Sequence, residues 1–230
     1  MGRAKRADVA GHCYHMLNRA NLRADIFRKP EDYIAMEGII AEALARFDVR
    51  FYCYCLMPNH WHFVVSPQAD GEMGRFAQWI TLTHTQRYHA HHRLAGQGHL
   101  YQGRYKSFPV QCDDHFLTLC RYVERNPYRA GLCDSPGQWP WSSLYRRNHP
   151  SDEAERLLSP WPVERHSDWT DWVITDFSES EQRQIDWSMK RGVPFGGETW
   201  VESTARKFGL ESTMRPRGRP RKFPNAVAGR

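Results

Sequence analysis

The chain has 230 residues, of which 40% are hydrophobic and 13% aromatic, so it can form a buried core and is not wholly disordered. No apolar stretch approaches the roughly 18 uncharged residues of a membrane span. The basic N-terminus lacks the apolar segment of a secretory signal. The sequence therefore predicts a cytoplasmic protein with no membrane partner. Its six cysteines form no C-x-x-C pair, and we expect them to be reduced core thiols.

Charge is distributed unevenly along the chain. Residues 1–150 contain 19 basic and 13 acidic side chains, residues 151–211 contain 7 and 13, and residues 212–230 contain 6 and none. A basic body and a basic tail on either side of an acidic segment indicate a polyanionic partner that meets both ends. Ordinary surface charge with a solvated tail is the alternative, and charge alone does not decide between the two.

The first half of the chain alternates strand and helix patterns. Residues 11–19 alternate as a strand, and residues 30–47 have the apolar period of a helix. "VRFYCYCL" and "HWHFVVS" predict two strands of a hairpin, joined by a turn at Met-Pro-Asn. A second long helix is predicted over residues 72–94.

The next predicted elements are a strand or hairpin and a third helix. Residues 99–112 predict a further strand or hairpin, and a third helix follows with Asp113 or Asp114 as its N-cap. We expect Pro127 to end this helix, because the residue before a proline is disfavoured in helical conformation.

These elements predict an α+β fold in which helices pack on the face of an antiparallel β-sheet. That domain spans residues 1–148. Residues 149–180 are acidic, rich in tryptophan and predict an irregular linker. Residues 181–211 predict a small helical extension, and residues 212–230 a basic tail too polar to pack and disordered when free.

Two histidines in the hairpin suggest a metal site. In a strand, His60 and His62 point to one face and Trp61 to the other. Two such imidazoles can share one ion, although histidine pairs on strands are more often simply packed. In the helix before Pro127, Tyr122 and Asn126 lie one turn apart, on the edge of the apolar stripe. If that stripe packs on the sheet, this edge can face the histidines.

Such a site suits phosphoryl transfer. His60, His62 and Asn126 would leave open positions on a divalent ion, where a phosphate oxygen can bind. Tyr122 can attack phosphorus and become covalently attached. The alternative is that Tyr122 and Asn126 are only a helix-edge tyrosine and a C-terminal cap.

The motif "MPNHWHFVV", followed by "RYVERNPYRAGL", resembles the HUH single-tyrosine transposases, and within them the REP-associated tyrosine transposases. "YHMLNR", "GHLYQGRYKS", "WPWSS" and the terminal "RPRGRPRK" support the resemblance. It covers residues 1–148 closely and the tail more loosely. The sequence departs from the family at Ala10, where proline is usual, and at Tyr128, where valine is usual; Tyr128 adds a second phenol near the helix end.

The resemblance implies a HUH, ferredoxin/RRM-like fold and a set of site residues. His60, His62 and Asn126 fall on the ligands of Mg²⁺ or Mn²⁺, and Tyr122 on the nucleophile. The implied reaction is cleavage and rejoining of single-stranded DNA hairpins, the repetitive extragenic palindromes, through a 5′-phosphotyrosine. The implied active unit is a monomer or a homodimer.

The basic residues near these motifs predict where DNA binds. In the tail, "RGRPR" resembles an AT-hook, whose arginines lie in the narrow minor groove of A·T-rich duplex DNA. The predicted DNA-binding residues are Arg104, Lys106, Arg121, Arg125 and Arg129 in the body and Arg217, Arg219 and Arg221 in the tail.

Two other functions compete with the transposase hypothesis. A zinc protein could use Cys53, Cys55, His60 and His62, although the two cysteines alternate with tyrosines in an apolar strand. A non-catalytic DNA-binding protein could use only the basic body and the AT-hook-like tail.

Overall fold

The computed structural model describes residues 6–94, 96, 98–151 and 157–215. Four strands form one antiparallel sheet, in which the second strand along the chain pairs with the third, the third with the first and the first with the fourth; this confirms the predicted α+β class. The tail residues Arg217, Arg219 and Arg221 lie outside the described residues, as does the predicted disorder of residues 216–230. Residues 212–214 belong to a short helix, so the prediction of disorder is wrong for the start of the tail. The strands are β1 (Cys13–Arg19), β2 (Val49–Met57), β3 (His60–Pro67) and β4 (Lys106–Val110).

The helices begin largely where the sequence predicts them. Pro30 occupies the first turn of the first long helix, and Asp113 caps the helix that begins at Asp114 by accepting a hydrogen bond from the backbone N–H of His115. Within the described ranges, no helix is long and apolar enough to span a membrane. The helices are α1 (Pro30–Leu44), α2 (Glu72–His92), α3 (Asp114–Arg129), α4 (Ser143–Asn148), α5 (Trp169–Ile174), α6 (Glu179–Arg191), α7 (Glu198–Phe208) and α8 (Glu211–Met214).

Apolar side chains cover both faces of the sheet. Trp61 and Phe63 face α1 and α2, where residues such as Ile40 and Phe76 complete one core cluster. The alternate residues of β3 face α3, whose Phe116 and Val123 belong to a second cluster. Because both faces are covered, β3 is buried over almost its whole length.

Helix α3 does not end at Pro127, contrary to the prediction, but continues to Arg129. Proline has no N–H to donate to the carbonyl of Val123, four residues earlier. The side-chain amide of Asn126 compensates: its Nδ2 lies 2.8 Å from the carbonyl oxygen of Tyr122 and 3.4 Å from that of Val123. The neighbouring asparagine thus supplies the donor that the proline lacks.

Within the predicted irregular linker, residues 149–180, residues 158–168 have no regular secondary structure, whereas α5 and the start of α6 are helical. Trp169, in α5, is buried, and its Nε1 donates to Glu124 at 2.7 Å. Trp161 donates to the backbone oxygen of Tyr52 at 2.8 Å. Both indoles pack against the α3 face of the sheet, so this segment is packed on the sheet although much of it is irregular. The division of the chain into domains stays a prediction.

The cysteine prediction is wrong for one pair, because Cys13 and Cys112 form a disulfide. Cys13 pairs with Val110 across β1 and β4, and Cys112 follows two residues later. The pairing of β1 with β4 brings together the sulfurs of two cysteines that are 99 residues apart in the sequence, and no local pattern predicts this contact. The remaining cysteines are free thiols.

Candidate active site

Strand β3 presents two imidazoles on one face, as its alternation predicts. The ring centroids of His60 and His62 lie 5.0 Å apart. Trp61 lies on the opposite face, fully buried and stacked on Phe63 at 4.1 Å. The large indole anchors the strand in one core cluster and thereby fixes the two histidines on the other side.

Helix α3 adds a phenol and a carboxamide to the same cavity, which has a volume of about 650 Å³. The ring of Tyr122 lies 6.1 Å from that of His62. The structure therefore brings together all four side chains that the sequence singled out. The cavity is lined by Leu17, Asn18, Arg19, Met57, His60, His62, Gln102, Gly103, Arg104, Lys106, Tyr122, Asn126, Arg129, Ala130, Met189 and Lys190.

Both histidines use the Nδ1 atom for hydrogen bonding. Nδ1 of His62 lies 2.9 Å from Nε2 of His15, and Nδ1 of His60 lies 2.7 Å from Oδ1 of Asn59. No hydrogen bond among the described residues involves Nε2 of His60 or His62. Partners on one ring nitrogen fix the ring orientation and direct the other nitrogen to a metal ion.

Burial keeps these imidazoles neutral. It lowers the pKa of His60 to about 4, with the nearby Arg19 and Arg129 acting in the same direction. Burial also lowers the pKa of His62 well below its ordinary value, and the neighbouring imidazoles and arginines add to the effect. The neutral imidazole is the form that binds metal ions, so the pair is ready for a cation at neutral pH.

Asn126 can supply an oxygen ligand. Because its Nδ2 donates to the carbonyls of Tyr122 and Val123, the side chain is held by its nitrogen end. In the part of the chain that is described, its Oδ1 has no hydrogen-bond donor. Two imidazole nitrogens and one amide oxygen, with room for further ligands, fit a divalent cation such as Mg²⁺ or Mn²⁺.

An arginine holds the hydroxyl group of Tyr122. Arg129 donates from Nη2 to this oxygen at 3.2 Å, and its guanidinium carbon lies 5.0 Å from the centre of the phenol ring. Tyr128, the second phenol, is instead next to Arg125, at 5.8 Å, and does not line the cavity. Of the two phenols, Tyr122 is the one placed beside the histidines.

The predicted DNA-binding residues of the body divide into two groups. Arg104, Lys106 and Arg129 line the cavity. Arg121 and Arg125 are buried elsewhere: the Arg121 guanidinium stacks on Phe177 at 3.9 Å, and Arg125 pairs with Asp176. Their contact with DNA stays a prediction, which their positions do not favour.

Three residues of the site were not predicted from the sequence. His15 and Arg19 come from β1, and Lys190 comes from α6, in the C-terminal extension. The alternation of β1 puts residues 15 and 19 on one face, but only its pairing with β3 shows that this face carries His60 and His62. No sequence signal points to Lys190.

The zinc alternative lacks thiolate ligands. Burial raises the pKa of Cys53 and Cys55 well above the ordinary thiol value, and neither residue lines the cavity of His60 and His62. A different group could hold a metal ion: the potential ligand atoms of Asp32, His91 and His92, between α1 and α2, lie within 4.8 Å of one another. This group is not part of the cavity that contains Tyr122.

The fold is similar to one described as the structure of the REP-associated tyrosine transposase bound to a REP hairpin. The identity is 17% and the TM-score 0.55, over 77% of this chain and 96% of that one. A second similar structure is a putative transposase from Deinococcus radiodurans R1, with 15% identity and a TM-score of 0.39 over 54% of this chain and 95% of that one. That score is too low to support an argument. No curated protein sequence matches the chain.

A family model identifies the class of protein to which this chain belongs. The model of the family "Transposase IS200 like" matches residues 8–126, just over half of the chain and the part that contains the four side chains of the site. The chain belongs to the IS200-like transposases. The resemblance found in the sequence motifs is thereby confirmed for the family and, through the solved structure, for the fold.

Proposed function

We propose that this transposase cuts and rejoins single-stranded DNA hairpins through a covalent bond between Tyr122 and a 5′ phosphate. Mg²⁺ or Mn²⁺ would be held by His60, His62 and Asn126. The observation that carries the proposal is that these four side chains, from one strand and one helix, line a single cavity.

The residues around the ligands prepare the site for a cation. His15 and Asn59 orient the two imidazoles, and the backbone of α3 orients the amide of Asn126. When bound, the ion would polarise a phosphate oxygen and stabilise the charge that develops on it.

In the chemical step, Oη of Tyr122 forms a bond to phosphorus while the bond from phosphorus to the 3′ oxygen breaks. The phenol loses its proton and the departing 3′ oxygen gains one, so the products are a 5′-phosphotyrosine and a free 3′ hydroxyl. One phosphate ester replaces another, and a 3′ hydroxyl can therefore reverse the reaction without ATP. Arg129 positions the phenol oxygen for the attack.

An unpaired strand is the expected substrate, because the phosphate has to reach a tyrosine on a helix edge inside a cavity. Arg104, Lys106 and Arg129 supply positive charge along the approach. A protein of similar fold is described as bound to a REP hairpin, which supports an imperfect hairpin as the substrate here. A cytoplasmic location, and a monomer or homodimer as the active unit, belong to the same proposal.

The second candidate is a DNA-binding protein without chemistry. Its support is the composition of residues 212–230, with six basic and no acidic side chains, which suits A·T-rich duplex DNA. A binder would not need a tyrosine beside two oriented imidazoles, and we therefore rank it second.

Incubation with labelled DNA separates the two candidates. A single-stranded hairpin with unpaired flanks should be cut in Mg²⁺ or Mn²⁺ and left intact in EDTA, and a perfect duplex of the same sequence should stay intact. Binding of the hairpin without any cleavage would favour the second candidate. Equal cleavage of hairpin and duplex would indicate another class of nuclease.

A further inference from the structure

A second cavity, with a volume of about 410 Å³, adjoins the one that contains Tyr122. Four residues line both cavities, so the two form one groove: Arg104, Lys106, Met189 and Lys190. One wall of the second cavity is β4, the edge strand of the sheet, and the opposite wall is the end of α6. The groove therefore leads from the catalytic cavity onto the C-terminal extension.

The groove is uniformly basic. No aspartate or glutamate of the described ranges lines either cavity. Cations within a concave surface attract a polyanion such as a nucleic-acid backbone. The basic residues that line the groove are Arg6, Arg19, Arg104, Lys106, Arg129, Lys190 and Arg191.

The acidic part of the chain, residues 151–211, also contributes basic side chains to the groove. Residues 151–211 contain 13 acidic and 7 basic side chains, yet Lys190 and Arg191 are the charged residues that α6 presents to the second cavity. The acidic residues Asp176 and Glu181 instead lie next to Arg125 and Arg121 of α3. Neither of these two carboxylates lines the groove.

The backbone near Lys190 is held in place, whereas its side chain is exposed. The chain after α6 is tied to β4, because the N–H of Phe195 donates to the carbonyl of Pro109 at 2.8 Å and the N–H of Gln111 to the carbonyl of Phe195 at 2.9 Å. The side chain of Lys190 is 73% exposed, and its ammonium lies 3.9 Å from Asp186. An exposed pair of this kind contributes little stability, so a phosphate can replace the carboxylate.

Arg191 lines the second cavity and contacts the last residues that the structure describes. Its Nε donates to the carbonyl of Thr213 at 3.2 Å, and its guanidinium also donates to the carbonyl of Arg215. Residue 215 is the last that the structure describes, and the basic residues of 216–230 follow it in the sequence. Thr213, near the start of the basic tail, lines the second cavity and not the one that contains Tyr122.

We propose that the second cavity binds the backbone of the single strand that flanks the cleaved phosphate, and that Lys190 contacts a phosphate where the two cavities meet. This inference rests on the proposed function, since it takes the cleaved strand to lie at Tyr122. It assigns a DNA-binding role to the extension, beyond the residues 8–126 that match the family.

The test uses the full chain carrying Tyr122→Phe, so that binding is measured without cleavage, and two charge-removing changes on α6. Lys190→Gln alters the groove. Arg183→Gln is the matched control, because Arg183 is on the same helix, is 74% exposed and does not line the groove. Affinity is measured at several salt concentrations for a hairpin with single-stranded flanks, the same hairpin without flanks, and the same hairpin with flanks paired as duplex.

Lys190→Gln should weaken binding of the hairpin with single-stranded flanks and reduce the slope of log affinity against log salt by about 0.7, the effect of one phosphate contact on a single strand. It should not affect the hairpin without flanks, and Arg183→Gln should affect neither. Equal effects of the two changes, or no effect of Lys190→Gln, would overturn the inference. An equal effect on paired flanks would assign the groove to duplex DNA and overturn it too.

A separate measurement tests the proposed function. If the chain with Tyr122 intact cuts the hairpin while Lys190→Gln binds as the parent does, only the groove assignment fails. If the intact chain neither binds nor cuts any hairpin, the proposed function fails and this inference fails with it.

Discussion

Nε2 of His15 lies 2.9 Å from Nδ1 of His62, and both rings are buried between the sheet and α3. His15 is on β1, which pairs with β3 and places Leu17 opposite His62. The ring of His15 is held in turn by stacking on Phe108 at 4.8 Å. His15 thus acts on the site through His62, as a positioning residue.

Loss of His15 should weaken metal binding. His15→Ala removes the partner of His62 and should lower metal affinity by about 10- to 100-fold, the usual effect of losing the partner of a ligand histidine. His15→Gln offers an amide oxygen as a substitute acceptor and should recover part of the affinity. Both are measured by the Mn²⁺ dependence of cleavage.

His12→Ala is a control for a nearby histidine whose ring instead lies 5.0 Å from that of Phe208. An unchanged Mn²⁺ dependence in His15→Ala would show that His62 needs no partner.

Two substitutions at Asn126 distinguish the role of its side-chain oxygen from that of its side-chain nitrogen. Asn126→Asp keeps an oxygen for the ion but loses the donor to the carbonyls of Tyr122 and Val123. It should retain Mg²⁺-dependent cleavage and lower the free energy of unfolding by about 1 kcal/mol. Asn126→Ala removes both the oxygen and the nitrogen of the side chain, and should therefore lose cleavage in Mg²⁺ as well as stability. Urea unfolding and cleavage are measured in parallel, and full cleavage by Asn126→Ala would exclude a ligand role.

Stability should decrease as the pH falls, in part because of His84. Burial lowers the pKa of His84 to about 4, and its Nδ1 lies 2.7 Å from the hydroxyl of Tyr101. Below pH 6.5 the unfolded chain binds a proton at this position and the folded chain does not, so the free energy of unfolding falls until the pH reaches about 4. The loss approaches about 1.4 kcal/mol per pH unit.

The variant His84→Gln should show a smaller pH dependence of stability than the parent protein between pH 7.5 and pH 5. Urea unfolding of both proteins at a series of pH values measures the difference. If the two proteins lose stability in parallel, His84 is not responsible.

Deletion of residues 216–230 removes five basic side chains and no acidic one. It should weaken binding to duplex DNA and flatten its salt dependence by several units at most, since each phosphate contact on a duplex contributes about 0.9 to the slope. Cleavage of a saturating short hairpin should persist, because the proposed catalytic residues lie before residue 127. Unchanged duplex binding at every salt concentration would mean that the tail does not contact DNA.

The parts of the fold that follow from local patterns were predictable. The alternation around Trp61 and the helical period around Tyr122 place the four site residues on two elements that a packed domain brings together. Long-range pairing was not predictable: the approach of β1 to β3 and β4 creates both the contact of His15 with His62 and the disulfide of Cys13.

Burial also explains why some residues do not lie where the sequence predicts. Arg121 and Arg125 are helix residues of the expected charge, but the segment around Phe177 covers them. Helix α3 continues past Pro127 because the side-chain amide of Asn126 replaces the N–H donor that proline lacks. The expectation that a helix ends before a proline does not take such a side-chain contact into account.

The most direct test of the account is the identity of the tyrosine that becomes attached to DNA. The chain is incubated in Mg²⁺ with a flanked single-stranded hairpin labelled so that the 5′-phosphate fragment is followed, and the adduct is digested and mapped by mass spectrometry. We predict an adduct on Tyr122 that persists in Tyr128→Phe, disappears in Tyr122→Phe and does not form in EDTA. An adduct on Tyr128, or one that still forms in Tyr122→Phe, would contradict the account.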